Sequence, residues 1–189
     1  MSTTQDTDVI AVLTHDHREV EQMFSELERL GESDVDRRRQ LTEKVIIELV
    51  RHSVAEEAYL YPAVRELVPG GGELADRELT EHAEAEQTMK LLEQTDADDP
   101  DYEILLGQLM SVIRTHVREE EGELFPRLRD NATPEQLAEL GHKVQAIKKI
   151  APTRPHPAAP DTPPANKVLG PFVGLVDRMR DAVTGRGKD

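Results

Sequence analysis

An eleven-residue pattern written twice constrains this chain more than any other feature. His52 to Pro62 reads HSVAEEAYLYP and His116 to Pro126 reads HVREEEGELFP, so the frame H-x-x-x-E-E-x-x-L-[YF]-P returns after 64 residues. A second pair repeats at nearly the same offset, HREVEQ from His17 and HAEAEQ from His82. One helical hairpin written twice accounts for both. Residues four apart share a helix face with Cβ atoms roughly 6 Å apart, close enough for an imidazole and a carboxylate to reach one metal ion.

Apolar spacing decides which histidines face inward. Ile10, Leu13, His17, Val20, Phe24 and Leu27 alternate at three and four residues, which puts His17 on a buried stripe and turns His15 away from it. Val45, Leu49, His52, Glu56, Tyr59 and Ala63 share a second stripe, and Tyr102, Leu106, Leu109, Ile113, His116 and Glu120 share another. The remaining stripe is thinner: Ala75, Leu79, His82, Glu86 and Met89. Five of the 7 histidines carry Glu four residues on, where chance would supply on the order of one.

Carboxylates on buried stripes need a partner, because stripping an ion of water costs several kcal/mol even after relaxation. Buried His–Glu ion pairs are one solution, disfavoured by the desolvation of four such pairs; a shared cation is the other. Imidazole and carboxylate donors without sulfur suit iron, manganese or zinc. Two ions can use eight donors where carboxylates from opposite helices bridge them. Tyr59 lies on the same stripe as His52 and Glu56, so its phenol is a candidate to hydrogen-bond or ligate the metal, against a tyrosine packed on aliphatics.

Composition narrows the remainder. A net charge of −15 over 189 residues argues against nucleic acid as the main partner. The absence of cysteine removes disulfides, thiolate zinc sites, iron–sulfur clusters and cysteine nucleophiles. No signal-peptide core and no transmembrane segment of roughly 20 apolar residues is visible, so the expected location is cytoplasmic.

The expected fold class is all-α: an up-down-up-down four-helix bundle with an additional fifth helix and a tethered C-terminal amphipathic helix. Helices are expected from about Asp8 to Gly31, Val35 to Val68 with Pro62 kinking or ending the regular part, Glu73 to Gln94, and Pro100 to about Asp130. Thr133-Pro-Glu-Gln136 signals the start of the fifth, with His142 off its stripe and exposed. Residues 1–150 then form the bundle, and 151–166 a Pro/Ala-rich linker in which His156 is incidental. Residues 167–189 form a short helix with a basic tail, marked by Val168, Leu169, Phe172, Val176, Met179 and Val183, that could dock or self-associate.

The order His17, His52-x-x-x-Glu56, His82-x-x-x-Glu86, His116-x-x-x-Glu120 resembles the hemerythrin-like (HHE cation-binding) family over residues 8 to about 130. The resemblance implies a four-helix bundle around two iron ions, a non-haem di-iron centre, with His17, His52, Glu56, His82, Glu86, His116 and Glu120 as ligands. It implies dioxygen, hydrogen peroxide or nitric oxide as the small molecule bound. Glu86 stands where oxygen-carrying hemerythrins have a further histidine, and Glu121 follows the fourth-helix carboxylate; both departures count against simple oxygen carriage. Glu21 is a further candidate from the internal repeat alone. Oxidative or nitrosative stress defence with catalase- or peroxidase-like turnover is the expected function, and reversible binding or sensing of oxygen or iron is the alternative.

Overall fold

The computed structural model describes residues 8–30 and 34–158, and beyond them positions 162, 163, 174, 177 and 181. The expected turn at Gly31 to Ser33 and the apolar positions expected to mark a C-terminal helix lie outside the described residues.

Between Asp8 and Ala158 the described residues form seven α-helices in order: α1 (Val9–Arg29), α2 (Val35–Ala55), α3 (Tyr61–Leu67), α4 (Gly71–Gln94), α5 (Pro100–Glu119), α6 (Phe125–Asn131) and α7 (Pro134–Lys148). Local chemistry starts them. Asp8 accepts a hydrogen bond from the Ala11 N–H at 2.7 Å, Asp99 accepts from Asp101 N–H, and Thr133 with Gln136 closes a reciprocal capping box. Gly70 adopts φ 71°, the left-handed turn that separates α3 from α4.

The two copies of the repeat share a departure from regular helix. Glu56–Leu60 joins α2 to α3 as a π-helical turn, and Glu120–Leu124 does the same between α5 and α6. Pro62 and Pro126 cause it. A proline ring inside an α-helix clashes with the carbonyl four residues back and offers no N–H to it. Widening the turn avoids both faults: Tyr61 N–H bonds to the Glu56 carbonyl and Phe125 N–H to that of Glu120, five residues back. Each proline then sits in the first turn of a new segment, where a missing N–H costs nothing.

The α2–α3 and α5–α6 rods complete a four-helix bundle with α1 and α4, and α7 packs across α1 and α2. Its core is two apolar clusters. One gathers Val9, Leu13, Leu60, Val64, Leu74 and Leu124 with Leu137 and Val144 of α7; the other gathers Val20, Phe24, Val45, Leu49, Met89, Leu109 and Ile113. Each fully buried aliphatic side chain contributes about 1.5–3 kcal/mol. The histidines occupy the level between the clusters: Leu13, His17 and Val20 follow one another on α1, and Ile113, His116 and then Leu124 along the fourth rod. No described helix is long and apolar enough to cross a membrane.

Candidate metal centre

His17, His52, His82 and His116 are all buried, one from each rod of the bundle. They meet as two pairs. Nε2 of His17 lies 3.2 Å from Nε2 of His52, and Nε2 of His82 lies 3.3 Å from Nε2 of His116. Two nitrogens each about 2.1 Å from one ion and at right angles would stand about 3 Å apart, so each pair has the spacing of neighbouring ligands.

Two wholly buried carboxylates connect the pairs. Glu56 places Oε1 3.0 Å from His52 Nε2 and Oε2 3.4 Å from His82 Nε2. Glu120 places Oε2 3.4 Å from His17 Nε2 and 3.7 Å from His116 Nε2. Donor atoms of His17, His52, Glu56 and Glu120 fall within 4.8 Å of one another, as do those of Glu56, His82 and His116. Both oxygens of Glu56, and Oε2 of Glu120 and of Glu78, are buried with imidazole nitrogens near them but no hydrogen bond of good geometry among the described residues. Acceptors orphaned in this way are costly unless a cation completes them, so the residues present fit a metal.

The outward nitrogen of every histidine faces a further carboxylate. His17 Nδ1 lies 3.0 Å from Glu121, His52 Nδ1 3.2 Å from Asp16, His82 Nδ1 3.0 Å from Glu57, and His116 Nδ1 3.0 Å from Glu81. Such partners fix the ring and the tautomer and raise the basicity of the inward nitrogen. They follow the internal repeat: Glu57 and Glu121 are the second Glu of each E-E, and Asp16 and Glu81 each precede a histidine of the other repeat. Lys148 of α7 reaches Asp16 at 2.6 Å, tying the fifth helix to the site through His52.

Without an ion, protons balance these charges. Burial alone would depress the His52 imidazole, but Glu56 and Asp16 outweigh it and raise its pKa to about 10. Burial likewise opposes the His82 imidazolium, and Glu56 and Glu57 raise that pKa to about 9. Glu56 is pushed up by burial yet held well below the usual range by His52 and His82.

The structure brings together six of the seven expected ligands and sets Glu86 apart. Glu86 is half-buried and accepts the His156 N–H at 2.7 Å, away from the histidine layer. Helix direction is the reason. On α2 and the parallel α5, four residues forward of the histidine leads toward the cluster containing Leu60 and Leu124; on the antiparallel α4 the same end lies four residues backward, at Glu78. Glu78 is wholly buried, with Oε2 3.0 Å from His116 Nδ1, and joins His116 and Glu120 as a third donor group. Its register, E-x-x-x-H, is the reverse of the motif and was missed for that reason. Glu21, also forward of its histidine, points outward and binds Arg114 at 2.7 Å.

Tyr59 is placed by a departure from regular helix. Extrapolating an α-helix from Glu56 puts Tyr59 on the metal-facing stripe, but the π turn rotates less per residue, so the face of Glu56 returns five residues on, at Tyr61. Tyr59 therefore packs half-buried against the apolar cluster around Leu60 and Val64. Tyr61 enters the layer instead, its hydroxyl 3.0 Å from His82 Nε2 and donating to Glu120 Oε1 at 3.2 Å. Burial, then the nearby charges of Glu120, Glu56 and Glu78, hold the phenol well above its ordinary pKa, so it keeps its proton.

His15 and His142 are exposed, as the stripes require. His156 is not incidental. Its ring lies 2.9 Å from Asp177, whose Oδ2 also accepts the Thr153 and Arg154 N–H groups at 3.1 Å, so this stretch of the Pro/Ala-rich segment is fastened rather than free.

Comparison with known proteins agrees with this geometry. A family model described as the hemerythrin HHE cation binding domain matches residues 8–128. An uncharacterized hemerythrin-like protein of Schizosaccharomyces pombe is 29% identical over 167 residues, covering 88% of this chain and 81% of that protein. A protein named DNA nickase from Nostoc is 31% identical over 150 residues, covering 78% of this chain but only 41% of that protein. A crystal structure of a hemerythrin HHE cation-binding domain-containing protein from Mycobacterium kansasii matches with a TM-score of 0.66 at 24% identity, covering 75% of this chain and 85% of that one. The chain belongs to the hemerythrin HHE cation-binding domain family.

Proposed function

We propose that the histidine layer holds two iron ions and that the protein reduces or disproportionates hydrogen peroxide, with dioxygen or nitric oxide as related ligands. The observation that carries the reading is that Glu56 and Glu120 each reach both histidine pairs. Bridging carboxylates between two ions are what this donor arrangement supplies. Nitrogen and oxygen donors without thiolate favour iron, manganese or zinc; peroxide cleavage needs a redox-active ion, which leaves iron and manganese, and iron is the one the family resemblance implies.

The chain's own residues have defined parts. His17 and His52 would hold one ion, His82 and His116 the other, each ring locked from behind by its carboxylate. Glu56 and Glu120 would surround an ion held here with negative charge in a buried layer, which would favour its more oxidised state. Tyr61 holds a proton one hydrogen bond from both Glu120 and His82, placed to donate to an oxygen atom lodged in the layer. No nucleic-acid step is proposed, since the chain is strongly acidic and spans less than half of the DNA nickase it matches.

The test is metal analysis of protein produced with iron, followed by oxygen evolution from hydrogen peroxide. Two irons per chain with turnover supports the reading. A stable oxygen complex that releases oxygen under vacuum, without peroxide turnover, would replace it with a carrier or sensor.

A further inference from the structure

Among the bundle's seams, the one between α1 and α5 has few close backbone approaches, in contrast to the tightly packed α1–α2 and α4–α5 pairs. It holds an open groove of about 730 Å³ whose floor is Val20, Phe24, Met110 and Ile113 and whose inner end is His17. One side chain straps the mouth. Arg114 crosses from α5 to bind Glu21 and Glu28 of α1 at 2.7 Å each, and its guanidinium lies 5.7 Å from the centre of the Phe24 ring.

Behind the groove is a second, small chamber of about 20 Å³, on which all four histidines open. By the same measure a single water needs roughly 10–15 Å³, so the chamber takes a molecule of one or two heavy atoms. Groove and chamber share His17, Val20, Ile113 and Val117 as lining. The three aliphatic side chains therefore stand as a partition between outer groove and inner chamber.

We infer that the α1–α5 groove is the entry route to the histidine layer, and that Val20, Ile113 and Val117 restrict what passes to uncharged molecules of about two heavy atoms. Ions are disfavoured because crossing an apolar partition strips their water. Larger organic hydroperoxides are excluded by volume. The inference rests on the proposed di-iron reading for its ligand and adds the size limit and the residues that set it. None of the three partition residues is a proposed ligand, so substitutions there can alter passage without removing a donor.

Two measurements on the full chain separate the route from the metal reading. In the first, crystals are pressurised with xenon, which seeks apolar space and needs no iron; xenon is expected on the groove floor near Phe24 and Met110. In the second, nitric oxide is mixed by stopped flow with the reduced iron-loaded protein. Val117→Phe is expected to slow nitric oxide binding at least tenfold at unchanged iron content and circular dichroism. Val117→Ala should speed it, and should raise tert-butyl hydroperoxide consumption relative to hydrogen peroxide at least tenfold. Xenon seated in the groove of a chain that holds no iron would support the route and overturn the di-iron reading. An empty groove, or nitric oxide rates unchanged by both Val117 substitutions, would overturn the route whatever the metal content.

Discussion

Tyr61 and Phe125 stand at equivalent places, each one π turn beyond a buried carboxylate, Glu56 or Glu120, yet they meet the histidine layer differently. Tyr61 donates its hydroxyl proton to Glu120 at 3.2 Å, across the bundle from its own helix. Phe125 stacks on His17 with ring centroids 5.8 Å apart and planes 4° from parallel. The repeat thus builds a symmetric scaffold and breaks the symmetry in its chemistry, with a proton donor on one side and an apolar wall on the other.

Tyr61→Phe is therefore expected to lower peroxide turnover by roughly 100-fold or more, in the range of a lost general acid, while iron content stays at the wild-type value. Tyr59→Phe should change neither. Parallel assays of the two variants, normalised to iron, decide the matter, and equal effects would remove Tyr61 from the chemistry.

Glu56→Gln and Glu120→Gln should each lower iron content sharply, because each removes negative charge and a carboxylate that reaches both histidine pairs. Glu86→Gln should leave iron bound, since Glu86 serves the His156 backbone. Iron loss from Glu86→Gln matching that from Glu56→Gln would restore the forward H-x-x-x-E register on α4.

Asp16→Asn should weaken metal affinity by about 10–100-fold through His52, the usual effect of losing a carboxylate behind a ligating histidine. Lys148→Met should act in the same direction but less strongly, because Lys148 touches the carboxylate and not the ring. Competition with a chelator, read by absorbance, measures both. Unchanged affinity in both variants would confine α7 to packing.

In the metal-free chain, the raised pKa values of His52, about 10, and His82, about 9, make their ion pairs stabilising below the ordinary histidine pKa of about 6.5. That stability is lost as pH rises through 9 to 10. Metal binding runs the other way, since the ion must displace those protons and competes better as pH rises. The melting temperature of chelated protein should thus fall between pH 6.5 and 10, and the gap to the iron-loaded form should widen. A constant gap across that range would contradict the assignment.

Much of the architecture is legible in the sequence because the apolar stripes and the repeat point to the same faces. His17, His52, His82 and His116 follow from spacing alone, and Glu56 and Glu120 from their position one turn beyond. Glu86 and Tyr59 mislead for different reasons. Placing Glu86 requires knowing that an antiparallel helix reverses which neighbour lies at the carboxylate level, and the same knowledge would have pointed to Glu78. Placing Tyr61 instead of Tyr59 requires the π turn, whose signal was present as Pro62 and Pro126 at matching places in the repeat. The supporting carboxylates were half visible in the doubled Glu of each copy. The clasp among Thr153, His156 and Asp177 joins positions more than 20 residues apart and has no periodicity to announce it.

The central claim is that two ions lie side by side in one layer, bridged by Glu56 and Glu120. Anomalous diffraction at the iron edge from crystals of iron-loaded protein tests it directly. Two peaks are predicted, one against His17 and His52 and the other against His82 and His116, both in contact with the two carboxylates. A single peak, or two peaks with Glu56 or Glu120 turned away, would contradict it.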